Sequence, residues 1–147
     1  MQEFPIAAAS ARPLWMFLPI LLIVGGVLSV ALLGAYTSRA EISSQGLRLR
    51  GDFYGRLIPP GQLRVDEARP VDFELSPELR PRRRTLGTGL PGYQGGWFRL
   101  ANGERALLYL TDRTRAVYVP TTAGYSVLLS PDDPTAFLAA LKRLPAR

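Results

Sequence analysis

Arginine supplies most of the binding chemistry in this sequence. The chain has 147 residues with 18 basic and 12 acidic side chains, and Lys142 is its only lysine. A guanidinium group can hold a phosphate or a carboxylate through two parallel hydrogen bonds, so arginine-rich surfaces favour anionic ligands. The candidate contacts for an anionic surface are Arg48, Arg50, Arg56, Arg80, Arg82, Arg83 and Arg84.

The sequence contains no histidine and no cysteine, which excludes several classes of site. Histidine is the usual general base near neutral pH and the commonest metal ligand, so a Ser-His-Asp relay and a histidine-bound metal are both excluded. Thiolate metal sites and disulfides are excluded as well. We therefore expect a protein that is not an enzyme, with no catalytic residue, no cofactor and no metal.

Three patterns admit both a chemical and a structural interpretation. Asp132 and Asp133 could form an acid/base pair, but next to proline they are more typical of a helix N-terminus, where carboxylates oppose the helix dipole. The glycines between Gly87 and Gly96 could cradle a phosphate, but they lack the P-loop lysine and favour strand bending. The arginines from Arg80 to Arg84 could contact phosphate or lipid, or could form a solvated loop paired with nearby acidic residues.

An uncharged apolar stretch, residues 14–36, precedes all of these groups. From Trp15 to Tyr36 a helix would rise roughly 32 Å, about the thickness of the hydrocarbon core of a bilayer, with an interfacial aromatic residue at each end. The stretch predicts a transmembrane helix with a mild kink near Pro19. A cleaved signal peptide is the alternative, since small residues flank Arg39, but the apolar run is long for one.

The charges beside this stretch predict its orientation. Arg39, Arg48, Arg50 and Arg56 follow it, whereas Arg12 and the terminal amine precede it. The excess of arginine favours a single-pass protein of the bacterial inner (cytoplasmic) membrane with its domain on the cytoplasmic side. Small residues spaced four apart, Gly25 with Ser29 and Ala31 with Ala35, are compatible with a homo-oligomer.

The chain therefore divides into a tail (1–13), a transmembrane helix (14–36), a polar linker (37–45) and one domain (46–147). The domain carries short apolar runs separated by glycine and proline, which predicts many strands and turns. Gly46–Arg50 alternates leucine and arginine, and Trp97 to Leu129 reads as an antiparallel meander. A helix capped by Ser130 should run to about Leu144 and bury Phe137 and Leu141.

Five short segments in this domain resemble the bacterial pleckstrin-homology (PH) domain family found on small membrane proteins. They are Gly51–Arg56 with Ile58-Pro59, Arg84–Gly87, Pro91–Tyr93 before Gly96–Phe98, Tyr109–Arg113, and Leu129–Leu138. The resemblance covers residues 46–144 and implies a mainly β fold: a bent antiparallel β-barrel closed by a carboxyl-terminal α-helix. It implies no shared catalytic residues. Eukaryotic relatives bind phosphoinositides through basic residues near the first hairpin, where Arg48, Arg50 and Arg56 stand here.

Together these features predict a membrane-anchored PH-like binding or scaffolding module that contacts anionic lipid headgroups or a protein partner. The alternative is a translocated or signal-cleaved periplasmic domain that recognises an envelope component. Nucleic acid has no support, because no nucleic-acid-binding motif accompanies the basic charge.

Overall fold

The structure is a computed structural model that describes residues 15–51 and 53–145. Its first long element is helix α1, Leu18–Thr37. Pro19 lies in the first turn of α1, where its missing N–H removes no intrahelical hydrogen bond. Pro19 is therefore the second residue of α1 and does not interrupt the helix. The predicted tail, residues 1–13, lies outside the described residues.

Helix α1 exposes large apolar side chains that no other described part of the chain covers. Ile23, for example, is 67% exposed and Leu33 is 62% exposed. Taken over the described residues, no helix is both long enough and apolar enough to cross a membrane. The transmembrane helix predicted over residues 14–36 is therefore not supported: residues 15–17 form a turn ahead of α1, and residue 14 lies outside the described residues.

The small residues predicted to allow close helix approach are only partly described. Within α1 the Ser29 hydroxyl donates a hydrogen bond to the Gly25 carbonyl at 2.8 Å. The side chains of Ala31 and Ala35 lie outside the described part of the helix. The homo-oligomer interpretation stays a prediction.

Nine strands follow α1 in the described residues and form two sheets. They are β1 Arg39–Ser43, β2 Gly46–Arg50, β3 Leu57–Ile58, β4 Arg69–Val71, β5 Pro81–Leu90, β6 Tyr93–Leu100, β7 Arg105–Leu110, β8 Ala116–Pro120 and β9 Ser126–Leu129. The small sheet has the order β1-β2-β3 and the large sheet has the order β4-β8-β9-β7-β6-β5.

The small sheet begins inside the segment predicted as a linker. Strand β1 follows α1 after the single residue Ser38 and pairs antiparallel with β2, with Arg39 opposite Arg50 and Ser43 opposite Gly46. The domain is thus joined to α1 without a linker. The predicted alternation in β2 is confirmed, because Leu47 and Leu49 are buried while the neighbouring arginines lie on the outer face.

The predicted antiparallel meander is wrong at its end. Strand β9 lies between β7 and β8, and it pairs parallel with β7 and antiparallel with β8. Two hydrogen bonds of Ser130 join the end of β9 to β7 and to the segment after it. The Ser130 N–H donates to the Tyr109 carbonyl at 3.0 Å, and its hydroxyl donates to the Asp112 carbonyl at 2.7 Å. The connection over residues 111–115 therefore leaves room for a strand between β7 and β8.

The sheets are not closed into the predicted barrel, because each has two edges with no neighbouring strand in the part of the chain that the structure describes. Instead, the large sheet buries both of its faces. One face packs against the small sheet and the last helix through residues such as Leu47, Leu107 and Val127. The other face is covered by the segment after β4, where Phe73 and Leu79 are buried. The central strands β8 and β9 are consequently buried along their whole length.

The last helix, α2, runs over Pro134–Lys142. Its N-cap is Asp133, whose carboxylate accepts a hydrogen bond from the Ala136 N–H at 2.9 Å, so the predicted cap at Ser130 is wrong. Proline at residue 134 suits the first helical position and places the cap one residue earlier. The predicted burial of Phe137 and Leu141 is confirmed.

Candidate anion-binding groove

Three of the seven candidate arginines line one groove. Arg48 and Arg50 extend from the outer face of β2, and Arg56 lies in the segment that leads into β3. A groove of about 460 Å³ is lined by these arginines together with Gly51, Gly55 and Leu57. We call it the arginine groove. Its positive charge is offset in part by Glu41, whose Oε2 lies 3.5 Å from Nε of Arg50.

Arg56 is held in place by aromatic rings. Its guanidinium carbon lies 4.8 Å from the centre of the Trp97 ring and 5.6 Å from that of Tyr125. Arg105 lies 4.6 Å from the same tryptophan ring, and Tyr125 meets that ring edge-on at 5.0 Å. Stacking orients a guanidinium and leaves its N–H edge able to bind an anion.

Sequence reasoning missed Trp97, Arg105 and Tyr125 as supports for Arg56. These residues belong to β6, β7 and the turn before β9, whereas Arg56 precedes β3. Their meeting depends on how the two sheets pack, so no local pattern in the sequence marks it.

The carboxyl end of α1 lies directly beside the arginine groove. The Thr37 hydroxyl donates mainly to the Leu33 carbonyl at 2.7 Å and lies 3.3 Å from the Gly51 carbonyl oxygen. The Ser38 hydroxyl and the Tyr93 hydroxyl lie 2.9 Å apart. Gly51 has a φ of +117°, and a Cβ there would collide with the backbone of Ser38. Glycine thus allows the end of α1 to contact the residue that follows Arg50.

The other four candidate arginines lie elsewhere. Arg80 donates to the Phe73 carbonyl and pairs with Glu74 at 3.1 Å, which anchors the segment over the large sheet. Arg82, Arg83 and Arg84 belong to β5, an edge strand, so the prediction of a solvated loop is wrong here. None of the four lines the arginine groove.

The remaining polar patterns have structural roles. The glycine-rich stretch forms the β5–β6 hairpin, with Leu90 opposite Tyr93 across a two-residue turn, and no helix follows it. Among the described residues, no group of three or more acidic side chains could hold a metal ion. Asp132 does not cap α2, since that role belongs to Asp133.

Asp112 and Tyr118, which lie outside the arginine groove, have shifted pKa values. Hydrogen bonds from Thr114 lower the pKa of the Asp112 carboxyl. Burial, and then the negative charge of Glu104, raise the pKa of Tyr118, whose hydroxyl donates to that carboxylate at 3.1 Å. The first interaction lies in the segment between β7 and β8, and the second joins β8 to the turn before β7.

The architecture and the groove define a small binding domain with no reactive constellation in its described residues. A profile of the family described as Bacterial PH domain matches residues 39–144. The match covers most of the chain, and the chain belongs to this family. It begins at the first residue of β1, which agrees with a domain that starts before residue 46. No curated protein and no solved structure matched the chain.

PH domains are generally binding modules without catalytic activity. The expected non-enzymatic binding module is supported to this extent. Family membership does not identify the ligand, because function lies in the site that each member carries on the fold.

Proposed function

We propose that this protein is a membrane-associated binding module of the bacterial inner membrane. In this proposal α1 inserts its apolar surface into lipid, and the arginine groove beside its carboxyl end contacts anionic headgroups. The charges that follow α1 favour the cytoplasmic side for the domain.

The observation that carries the proposal is the uncovered apolar surface of α1. Large side chains along the helix are exposed, from Leu32 at 43% to Leu21 at 70%. A helix that is apolar all round normally lies inside a protein core or in lipid, since exposing it to water is costly. The described domain buries other residues in its cores and leaves α1 without cover.

The position of the groove supports the choice of ligand. Because α1 ends one residue before β1 and contacts Gly51, its insertion would bring Arg50 close to the headgroup layer. A basic side chain near an anionic membrane surface contributes about 1 kcal/mol, and the attraction decays over about 8–10 Å at physiological salt. Three arginines held at this distance would give roughly 100-fold tighter binding than none.

The first test concerns α1. We expect the full chain to stay in the membrane pellet after alkaline carbonate extraction, which strips proteins that bind only through charge. The double variant Ile23→Arg/Val27→Arg should move to the supernatant, since two charges would interrupt the apolar surface by which α1 is proposed to enter lipid. The matched variant Ile23→Ala/Val27→Ala should stay in the pellet. Release of the unaltered chain by carbonate would show that protein, and not lipid, covers α1.

The second test concerns the arginine groove. The fragment 39–147 contains both core clusters and all nine strands, so it serves as the isolated domain. We expect it to float with vesicles rich in phosphatidylglycerol at low salt, but not with phosphatidylcholine vesicles. The variant Arg48→Gln/Arg50→Gln/Arg56→Gln should lose up to about 100-fold in affinity, for the loss of three charges.

The control for this test changes net charge equally. In Arg82→Gln/Arg83→Gln/Arg84→Gln the loss falls on β5, outside the groove. We expect this variant to lose much less affinity than the groove variant. Equal losses would show that net charge alone drives binding and would remove the groove from the proposal.

A further inference from the structure

Strand β1 has backbone groups that face away from β2, on an edge where no strand of the described residues pairs. The Leu49 N–H donates to the Arg56 carbonyl at 2.8 Å, so the backbone polar groups of Leu49 point towards β3. Leu49 lies opposite Ala40 in the antiparallel pair. In such a pair, opposed residues either exchange both hydrogen bonds or exchange none. Ala40 therefore directs its N–H and C=O away from β2, and the same alternation applies to Ile42.

Apart from charge, which β1 also carries in Arg39 and Glu41, the other sheet edges are protected in ways that β1 is not. Strand β5 carries two register irregularities and three arginines, β4 contains Pro70, and β3 is only two residues long. Bulges, proline, charge and shortness all discourage the addition of another strand. Strand β1 has five residues in unbroken register with β2 and contains no proline. It is the edge best suited to receive a strand.

A cleft of about 550 Å³ runs beside β1, between that strand and the start of α2. Leu49, Leu129 and Phe137 supply apolar lining, and Arg39, Glu41 and Asp132 supply charge. The cleft thus offers a small apolar floor within a mostly polar lining. Glu41 pairs with Arg50. Among the described residues the Asp132 carboxylate has no ion pair, and the Arg115 guanidinium donates to the backbone carbonyl of the same residue at 2.7 Å.

We propose that β1 and this cleft bind an extended peptide segment by strand addition. The segment bonds to the backbone of Ala40 and Ile42, places an apolar side chain in the cleft, and sets a lysine or arginine against Asp132. Segments of this composition occur where a membrane helix of another protein leaves the cytoplasmic face of a bilayer, because basic residues concentrate there. Ser38 at the end of α1 also lines the cleft, so such a segment is the partner that fits.

The choice of a juxtamembrane partner rests on the proposed membrane location. Strand addition itself rests only on the free edge and the cleft. An experiment can therefore reject the juxtamembrane partner without rejecting strand addition.

The test uses the full chain in non-ionic detergent micelles and short synthetic peptides that alternate valine and threonine. One peptide ends in two arginines and the other ends in two glutamates. We expect the arginine peptide to bind and the glutamate peptide to bind much more weakly. In hydrogen exchange, the arginine peptide should protect the amides of Ala40 and Ile42, while the amide of Glu41, already bonded within the sheet, changes little.

Two variants separate the contributions. Ala40→Pro removes the outward N–H without removing a bond to β2, a position where an edge strand tolerates proline. It should weaken peptide binding by about tenfold, which corresponds to the loss of one or two hydrogen bonds. Ala40→Ser keeps the N–H and should bind as the parent does. Asp132→Asn should weaken only the arginine peptide, whereas Asp66→Asn, on an exposed turn outside the cleft, should not.

Several outcomes would overturn the inference. These are absence of peptide binding by the parent chain, equal binding by Ala40→Pro, and protection of Ala40 by a second copy of the chain without peptide. Peptide binding by a chain that carbonate extracts from membranes would support strand addition while removing the membrane location.

Discussion

Replacing Phe137 by alanine should lower the free energy of unfolding of the domain by about 3–5 kcal/mol, the usual cost of truncating a buried aromatic side chain. Phe137 is 8% exposed and belongs to the core cluster that joins α2 to both sheets. Helix α2 has only nine residues, too few to be stable in water by itself, so its packed face must hold it in place. Urea unfolding of the fragment 39–147 would measure the change.

The control for this prediction lies on the same helix. Lys142 is exposed in the last turn of α2, and Lys142→Ala should change the free energy of unfolding by no more than about 0.5 kcal/mol. Since small domains have about 5–15 kcal/mol of stability, Phe137→Ala would leave the fold marginal. An unchanged urea midpoint would mean that α2 does not pack through this face.

Helix α1, strand β2 and helix α2 could be predicted from the sequence, because each has a clear local pattern of apolar residues. The apolar run gave a helix, the leucine–arginine alternation gave β2 its two faces, and the spacing of Phe137 and Leu141 gave α2 its buried side. Each of these depends on a periodicity within a few residues, and burial of one face enforces it. The arginines of β2 accordingly lie on the face opposite its buried leucines, as the alternation predicts.

Strand β1 was missed although its sequence alternates. Ala40 and Ile42 lie opposite the buried Leu49 and Leu47, but Ala40 is itself exposed and Ile42 only half-buried. Alanine contributes little apolar area, and only five residues carry the pattern, so the segment reads as polar. Pairing with β2 decides its conformation, which is a non-local effect.

The strand order of the large sheet could not be predicted from local sequence patterns either. Strands β7, β8 and β9 are each buried and apolar, and any antiparallel order would satisfy their patterns. In the observed order β9 lies between β7 and β8, and Ser130 at its end bonds to Tyr109 and Asp112. The same serine was predicted as a helix cap, because Ser-Pro before acidic residues is a common helix start.

The arginines at residues 82–84 illustrate how composition misleads. Proline and consecutive charges are typical of loops, yet Pro81 is the first residue of an edge strand, a position that proline tolerates. Charged side chains on an edge also discourage pairing with other chains. The densest basic cluster thus protects an edge, while the groove is built from arginines that are separated in sequence.

A second large effect is expected where the hairpin of β1 and β2 turns. Gly46 has a φ of +121°, and a Cβ there would lie 2.9 Å from Cα of Pro59, with the Ile58 carbonyl oxygen closer still. An unusual backbone conformation costs about 1–3 kcal/mol, and overpacking adds a similar amount. Gly46→Ala should therefore lower the free energy of unfolding by roughly 2–6 kcal/mol, as measured by urea unfolding of the fragment 39–147.

Gly103→Ala separates the two causes, because Gly103 also has a positive φ, +87°, but has open space where a Cβ would stand. It should show the cost of the backbone alone, about 1 kcal/mol or slightly more. The additional loss of stability in Gly46→Ala then measures the close approach of β2 to β3. This approach holds Arg48 beside Leu57 and sets the pairing that directs the N–H and C=O of Ala40 away from β2. If the two variants are equally stable, the small sheet is not packed as closely as the structure has it, and both the arginine groove and the free edge of β1 lose their support.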